Sequence, residues 1–237
     1  MKDITLDSID AYVEHLLNIG NSGSTVNRKL SCLSRILRTA FERDKIKTLP
    51  KMPRRREGTH RVRFLSIDEE EKLLAAVEHL GYIAHKEAIS MLIYTGFRCS
   101  ELWRLERRDV DLEHQTLTAW KTKNSHPRTI PIVETILPII KRRIEATTNE
   151  DDRLFPEGSN PWLRNLWEKV RLHLGKDDDP QFVPHMLRHT CATRLSQRGA
   201  SMMIIKEWMG HSDISTTARY THFAPKDLRN AAQLLAQ

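Results

Sequence analysis

Cysteine is scarce in this chain: only Cys32, Cys99 and Cys191 among 237 residues, odd in number and far apart. That excludes a disulfide framework and fits a reducing compartment. Long apolar runs are missing too, since no stretch approaches the roughly 18 uninterrupted apolar residues of a membrane span. Met1-Lys2-Asp3 leads into polar sequence without the apolar segment of an export signal. The expectation is a cytoplasmic chain with no membrane partner. Aromatics are few, at 6%, and no internal repeat or low-complexity tract occurs, which removes fibrous classes. Hydrophobic residues still reach 39% and charged residues 29%, too apolar for a wholly disordered chain and ordinary for a globular one.

Acidic residues are in deficit. Thirty-eight Lys and Arg against 31 Asp and Glu leave a formal charge of +7, which favours polyanionic partners, with nucleic acid first among them. Composition alone also fits a merely solvated basic surface, so the order of residues must decide.

The first segment reads as two helices, Asp7 to Leu17 and Ser24 to Phe41, separated by Gly20-Asn21-Ser22-Gly23. Arg28, Lys29 and Arg35 lie beside the apolar stripe of the second, a face that either meets solvent or contacts phosphate. Residues 49–63 carry two prolines, a glycine and the run Arg54-Arg55-Arg56, and read as an extended basic linker able to lie across a duplex backbone or simply to be solvated. The domain boundary falls there.

Beyond it, Ser66-Ile67-Asp68-Glu69 matches a capping box opening a helix to about Leu80. A helix from His85 to Tyr94 is capped by Gly96, and a short one from Ser100 to Leu105 follows Arg98, with free N–H groups that favour an anion. Val110 to Leu112, Thr116 to Trp120 and Arg128 to Ile132 predict a three-stranded antiparallel sheet whose basic hairpin tip is 121–127. Helices are predicted over Glu134–Ala146, Pro161–Leu174, Pro184–Arg198, Ser201–Met209, Ser215–Thr221 and Pro225–Ala236. The fold class is mainly α with a small antiparallel β-sheet.

His185, Arg188 and His189 fall within one helical turn on neighbouring positions of one face. A zinc site at His185 and His189 lacks both the glutamate of a metalloprotease helix and further ligands, so no metal is expected. The five tryptophans, Trp103, Trp120, Trp162, Trp167 and Trp208, read as core anchors. Cys99 reads as a packed side chain rather than a nucleophile. Tyr12, Tyr82 and Tyr94 sit in amphipathic helices, and Tyr220 alone reads as presented.

Four motifs stand in order: Thr95-Gly96-Phe97-Arg98-Cys99-Ser100-Glu101-Leu102, His185-Met186-Leu187-Arg188-His189-Thr190, Met209-Gly210-His211-Ser212, and Thr216-Thr217-Ala218-Arg219-Tyr220-Thr221-His222. Together they resemble the tyrosine recombinase family, the phage-type integrases, over about Phe64 to His222. The resemblance implies a short helical N-terminal DNA-binding module followed by a tyrosine-recombinase catalytic domain, at 1–48 (a partial helical core-binding domain) and 64–237 (ending in a tail helix). It implies that Arg98 and Arg188 hold the scissile phosphate, that His185 and His211 complete the pocket, and that Tyr220 attacks. The family's lysine matches Lys123, eight residues before Pro131, with Lys121 the weaker candidate for that role and expected to bind DNA.

The chemistry agrees. In-line attack on a phosphodiester builds charge on its nonbridging oxygens, and guanidiniums bind such oxygens through parallel N–H donors. A tyrosine hydroxyl, with a reference pKa near 10, needs a base or a positive field, which His185 or the arginines would supply. The departing 5′ oxygen needs a proton, assigned to Lys123. Glu101 reads as orienting Arg98. Guanidiniums stand in for a divalent ion, so no cofactor is expected. Double-stranded DNA is the expected partner, with a homotetramer formed through the C-terminal tail and a DNA-bending accessory protein.

Two points depart from the family pattern. The family clamps DNA with a four-helix core-binding domain, whereas about 45 residues here supply two helices, as in a shortened protein or a fragment. The arm-type domain of some integrases has no counterpart. Alternatives to strand exchange are a type IB topoisomerase and a catalytically silent DNA-binding protein.

Overall fold

A computed structural model describes residues 4–57, 62–120 and 127–220. The chain divides into two units, Met1–Arg61 and Val62–Gln237.

In the first unit, helix α1 (Leu6–Asn18) opens on a capping box in which Thr5 and Ser8 satisfy each other's backbone N–H groups, and α2 (Gly23–Glu42) opens on the Ser22 side chain. Their facing stripes bury Ile9, Val13, Leu16, Val26 and Leu30. Residues 51–57 form no helix, yet they are not a free linker. The Asn27 side chain donates to the Arg55 carbonyl (2.9 Å) and to Glu57 (2.8 Å), and accepts from the Arg55 N–H (2.9 Å). Met52 packs on the small core. The basic run is therefore held against α2 by an amide that meets both backbone groups of one residue. Residues 58–61 of the expected linker lie outside the described residues.

In the second unit, α3 (Ile67–His79) starts at the Ser66–Glu69 capping box. Helix α4 (Ile83–Thr95) runs through the core, with Ala88, Ile89, Met91, Leu92 and Ile93 buried, and ends at Gly96 in the left-handed region (φ 64°). The next helix, α5 (Cys99–Leu102), is shorter than the sequence predicts, and its first donor is already used: Glu101 accepts from the Arg98 N–H at 2.8 Å. Strands β1 (Val110–Asp111), β2 (Thr116–Ala119) and β3 (Arg128–Pro131) form the antiparallel sheet in order β1-β2-β3, with Leu117 opposite Ile130 and Ala119 opposite Arg128. The expected hairpin tip is described only at Pro127; residues 121–126 lie outside the described residues.

Helices α6 (Leu137–Glu145), α7 (Asn160–His173), α8 (His185–Gln197), α9 (Met202–Met209) and α10 (Ile214–Ala218) complete the unit. The expected tail helix Pro225–Ala236 lies outside the described residues. One core joins α3, α4, the sheet, α7 and α8, and a smaller cluster of Cys191, Ala192, Ile205, Met209 and Tyr220 sits among α8, α9 and the residues after α10.

Trp103 and Trp167 are buried and Trp162 and Trp208 half-buried, but Trp120 is 60% exposed, against expectation. The reason is alternation: Leu117 and Ala119 face inward along β2, so Trp120 points outward. Among the described residues no helix is long and apolar enough to cross a membrane.

Candidate active site

Two helix ends build the floor. Helix α4 ends at Gly96 and α9 at Gly210, both in left-handed conformation, at φ 64° and 61°. Arg188, on the first turn of α8, joins them, donating from Nη1 to the Gly96 carbonyl at 2.5 Å and from Nη2 to the Met209 carbonyl. Carbonyls at helix C-termini carry partial negative charge, which suits a buried cation. Arg188 is 4% exposed, and burial together with Arg128 and Arg98 lowers its pKa to about 9. Its guanidinium has five N–H donors, and two of them are spent on these carbonyls.

A third guanidinium, that of Arg128, was not anticipated from sequence. It starts β3, donates to the same Met209 carbonyl (2.5 Å) and to Glu101 (2.8 Å), and lies over the Phe97 ring at 4.9 Å. Burial, first of all, lowers its pKa. A Cβ on Gly210 would meet Arg128 Nη1 at 2.6 Å, so this glycine serves both the helix end and the arginine. Glu101 is buried and accepts from Arg128, from the Arg98 N–H and from Arg98 Nη1 (2.6 Å). It therefore holds Arg98, which stays half-buried, at the rim.

The imidazoles follow. His185 is exposed and meets His189 edge-on, ring centroids 4.7 Å apart. His211, buried after α9, pairs its Nδ1 with Thr217 Oγ1 at 2.8 Å. Lost hydration and nearby arginines push all three downward: His189 and His211 to about 4, and His185 below its ordinary value through the packed surroundings, Arg188, Arg98 and Arg219. These shifts favour the neutral imidazoles, and among the described residues the positive charge of the site is carried by arginine.

Tyr220 follows α10, its N–H bonded to the Thr217 carbonyl at 2.9 Å. The sequence predicts a presented side chain. Instead the residue is 5% exposed, its ring packed in the smaller core cluster and stacked parallel to His211 at 6.2 Å. Apolar neighbours on α8 and α9 cover the ring, while its hydroxyl reaches His189 Nδ1 at 2.6 Å. Burial raises its pKa, opposed by Arg188 and Arg219. Cys99 and Cys191 are pushed up to about 11 by burial, which keeps both as inert thiols.

Arg98, His185, Arg188, His211 and Tyr220 thus share one site. Lys123 and Lys121 lie outside the described residues. In the first unit Arg28, Arg35, Arg54, Arg55 and Arg56 are exposed and Lys29 is half-buried, donating to Asn21 at 3.3 Å. Among the described residues no three His, Cys, Asp or Glu side chains gather as metal ligands.

Residues 63–227 match the model of the phage integrase family. A tyrosine recombinase XerA of Pyrococcus horikoshii is 30% identical over 234 residues, covering 93% of this chain and 78% of the relative. Others are a tyrosine recombinase of Thermosipho africanus, 30% identical over 179 residues and 73% of this chain, and XerA of Pyrococcus furiosus, 33% identical over 170 residues and 70% of this chain. The chain spans about three fifths of the length of these last two, 61% and 59%. Among solved structures, the Tn1549 transposon integrase in complex with transposon right end DNA superposes with a TM-score of 0.82 at 22% identity, over 99% of this chain and 86% of that one. The XerH recombinase bound to its difH substrate gives 0.76 at 20%, over 100% and 74%.

Proposed function

Since the chain belongs to the phage integrase family, we propose that it is a site-specific DNA recombinase that breaks and rejoins DNA strands through a covalent 3′-phosphotyrosine at Tyr220. The observation that carries this reading is that helix α8 bears both a buried arginine fixed between two helix ends and the imidazole that pairs with the Tyr220 hydroxyl, beside a second arginine held at the rim by Glu101.

Arg98 and Arg188 bind the nonbridging oxygens of the scissile phosphate, stabilising the charge that in-line attack develops. His211 stacks on the Tyr220 ring and fixes its plane. His185 lines the open side. The 5′ oxygen leaves with a proton from Lys123, with Lys121 as the alternative. Because the phosphotyrosine bond preserves the energy of the broken phosphodiester, a hydroxyl from a second strand reseals it without ATP. Guanidiniums do the charge neutralisation, so the reaction needs no divalent ion.

Residues 1–48 with the basic run Arg54-Arg55-Arg56, and Arg28, Lys29 and Arg35 on α2, bind the duplex backbone. Four copies assemble on DNA through the tail at 224–237, a DNA-bending protein assists, and the reaction takes place on DNA in the cytoplasm. Deleting 224–237 is expected to abolish pairing of two sites in a synapsis gel while leaving single-site binding; unchanged synapsis overturns the tail's role.

The reading is tested by covalent trapping on nicked duplexes drawn from DNA flanking the gene, in chelator, with mass spectrometry of the DNA-linked peptide. An adduct on Tyr220 supports it. An adduct on another residue, or one that requires added metal, overturns it. A DNA-bound protein that never forms an adduct is instead the silent binding protein, and an adduct that relaxes supercoils without synapsis is the topoisomerase.

A further inference from the structure

A buried phenol attacks only if its proton has somewhere to go. The Tyr220 hydroxyl sits 2.6 Å from His189 Nδ1, within reach for direct proton transfer. His185, expected to share this task with the arginines, is one ring further away: it meets His189 edge-on at 4.7 Å, while among the described residues the rings in contact with Tyr220 are those of His189 and His211. His211 spends its Nδ1 on Thr217, and the hydrogen bond of the Tyr220 hydroxyl goes to His189 instead. Resting on the strand-cleavage reading above, we propose that His189 is a catalytic residue of that reaction, the group that accepts the Tyr220 hydroxyl proton during cleavage and returns it during rejoining.

The step balances. As the Tyr220 Oη–P bond forms, the P–O5′ bond breaks; the phenolic proton moves to His189 Nδ1, and the departing 5′ oxygen takes a separate proton from the general acid, for which Lys123 is the expectation. Rejoining runs the same steps backward, with the 5′ hydroxyl giving its proton to that group and Tyr220 recovering its own from His189.

The surroundings fit the task. His189 faces His185 and Arg188 from its own helix, His211 from the residues after α9, and Arg219 and Tyr220 after α10. These neighbours and its burial keep the imidazole neutral at pH 7, so a nitrogen is free to accept. A bound phosphodiester brings negative charge into that cluster of arginines and favours the imidazolium that cleavage creates.

The experiment compares single-turnover adduct formation on nicked duplex by the full chain, His189→Ala and His189→Asn, from pH 6 to 10, with DNA affinity measured in parallel. Asparagine can hold a hydrogen bond with the phenol but cannot carry its proton. Expected are a wild-type profile nearly flat above about pH 5, a loss of roughly 10²-fold or more for both variants at pH 7 with DNA affinity kept, and a deficit that closes about tenfold per pH unit as the phenol ionises unaided.

Wild-type rates in both variants overturn the assignment, and so does recovery by asparagine, which would reduce His189 to a positioning residue. A pH-independent deficit overturns it too. Should the variants fail to fold, nitrogen-15 NMR of the intact protein decides: a bare Nδ1 on His189 supports the inference and a protonated Nδ1 refutes it. Absence of a Tyr220 adduct in the wild type sinks the strand-cleavage reading itself and the inference with it, whereas an adduct that forms equally well without His189 sinks the inference alone.

Discussion

Arg98 and Arg188 are expected to share one phosphate, yet they are held differently, and the difference predicts how each fails. Arg188 is built into the protein, closing two helix ends with its own donors. Arg98 stands at the rim on a single carboxylate, that of Glu101, which Arg128 also satisfies. Removing the Arg98 side chain therefore leaves Glu101 paired and the fold intact, so Arg98→Ala is expected to melt like the wild type while forming the Tyr220 adduct on the order of 10² to 10³ more slowly, by analogy with the loss of one preorganised oxyanion donor. Single-turnover trapping beside a thermal melt reads both, and undiminished cleavage would remove Arg98 from the phosphate pocket. The residues that motifs could mark, Arg98, His185, Arg188, His211 and Tyr220, are those whose chemistry is local to a short pattern. Arg128 escaped, and His189 was marked only as a neighbour of His185 and Arg188, because their contacts are made by distance: Arg128 meets Glu101 across 27 positions and Met209 across 81, and His189 meets Tyr220 across 31. An arginine at the start of a polar strand has no local sign that it will be buried. Tyr220 escaped in the opposite sense, since the polar Ser215-Thr216-Thr217 stretch before it hides the apolar cluster that covers its ring.

Among the elements, helices α1 to α4 begin and end within two residues of their sequence signals, because capping side chains and terminal glycines are local physics. The strands are legible through β-branched alternation. The short helix after Arg98 is less so: its end depends on how the chain turns toward Trp103, whose indole N–H donates to Asn160 at 3.0 Å from far along the sequence. The end of α9 offers a test of what a local signal carries. Gly210 is needed twice, for its φ of 61° and for the 2.6 Å approach of Arg128 Nη1 to any Cβ placed there, and Arg128 cannot retreat without leaving Glu101 and Met209. Gly199, with φ of 87° and nothing within 4 Å of an added Cβ, is needed once. Alanine at Gly199 should cost only the backbone term, about 1–2 kcal/mol. Alanine at Gly210 should cost clearly more, because a buried ion pair is also displaced. Denaturant midpoints of the two variants give the comparison, and equal losses would show that Arg128 yields freely.

At the scale of the molecule, the excess positive charge that pointed to a polyanion is arranged rather than spread. In the first unit, Asn27 fixes the backbone of Arg55 by three hydrogen bonds to it and to Glu57, and Met52 anchors the segment from below, so Arg54, Arg55 and Arg56 are displayed from a braced strand of chain instead of a loose tether. Ordering the backbone beforehand reduces the entropy lost when such side chains meet phosphate. If these three arginines each neutralise a phosphate, duplex affinity should fall steeply with salt, and replacing all three by alanine should flatten the slope of log K against log salt by roughly 0.9 per arginine, close to 3 in total. Asn27→Ala should behave differently. It leaves every charge in place and so keeps the slope, but it loosens the display and lowers affinity at each salt concentration alike. Filter binding of one duplex at several salt concentrations separates the two effects, and a triple variant with an unchanged slope would mean that the arginine run stays in solvent when DNA is bound.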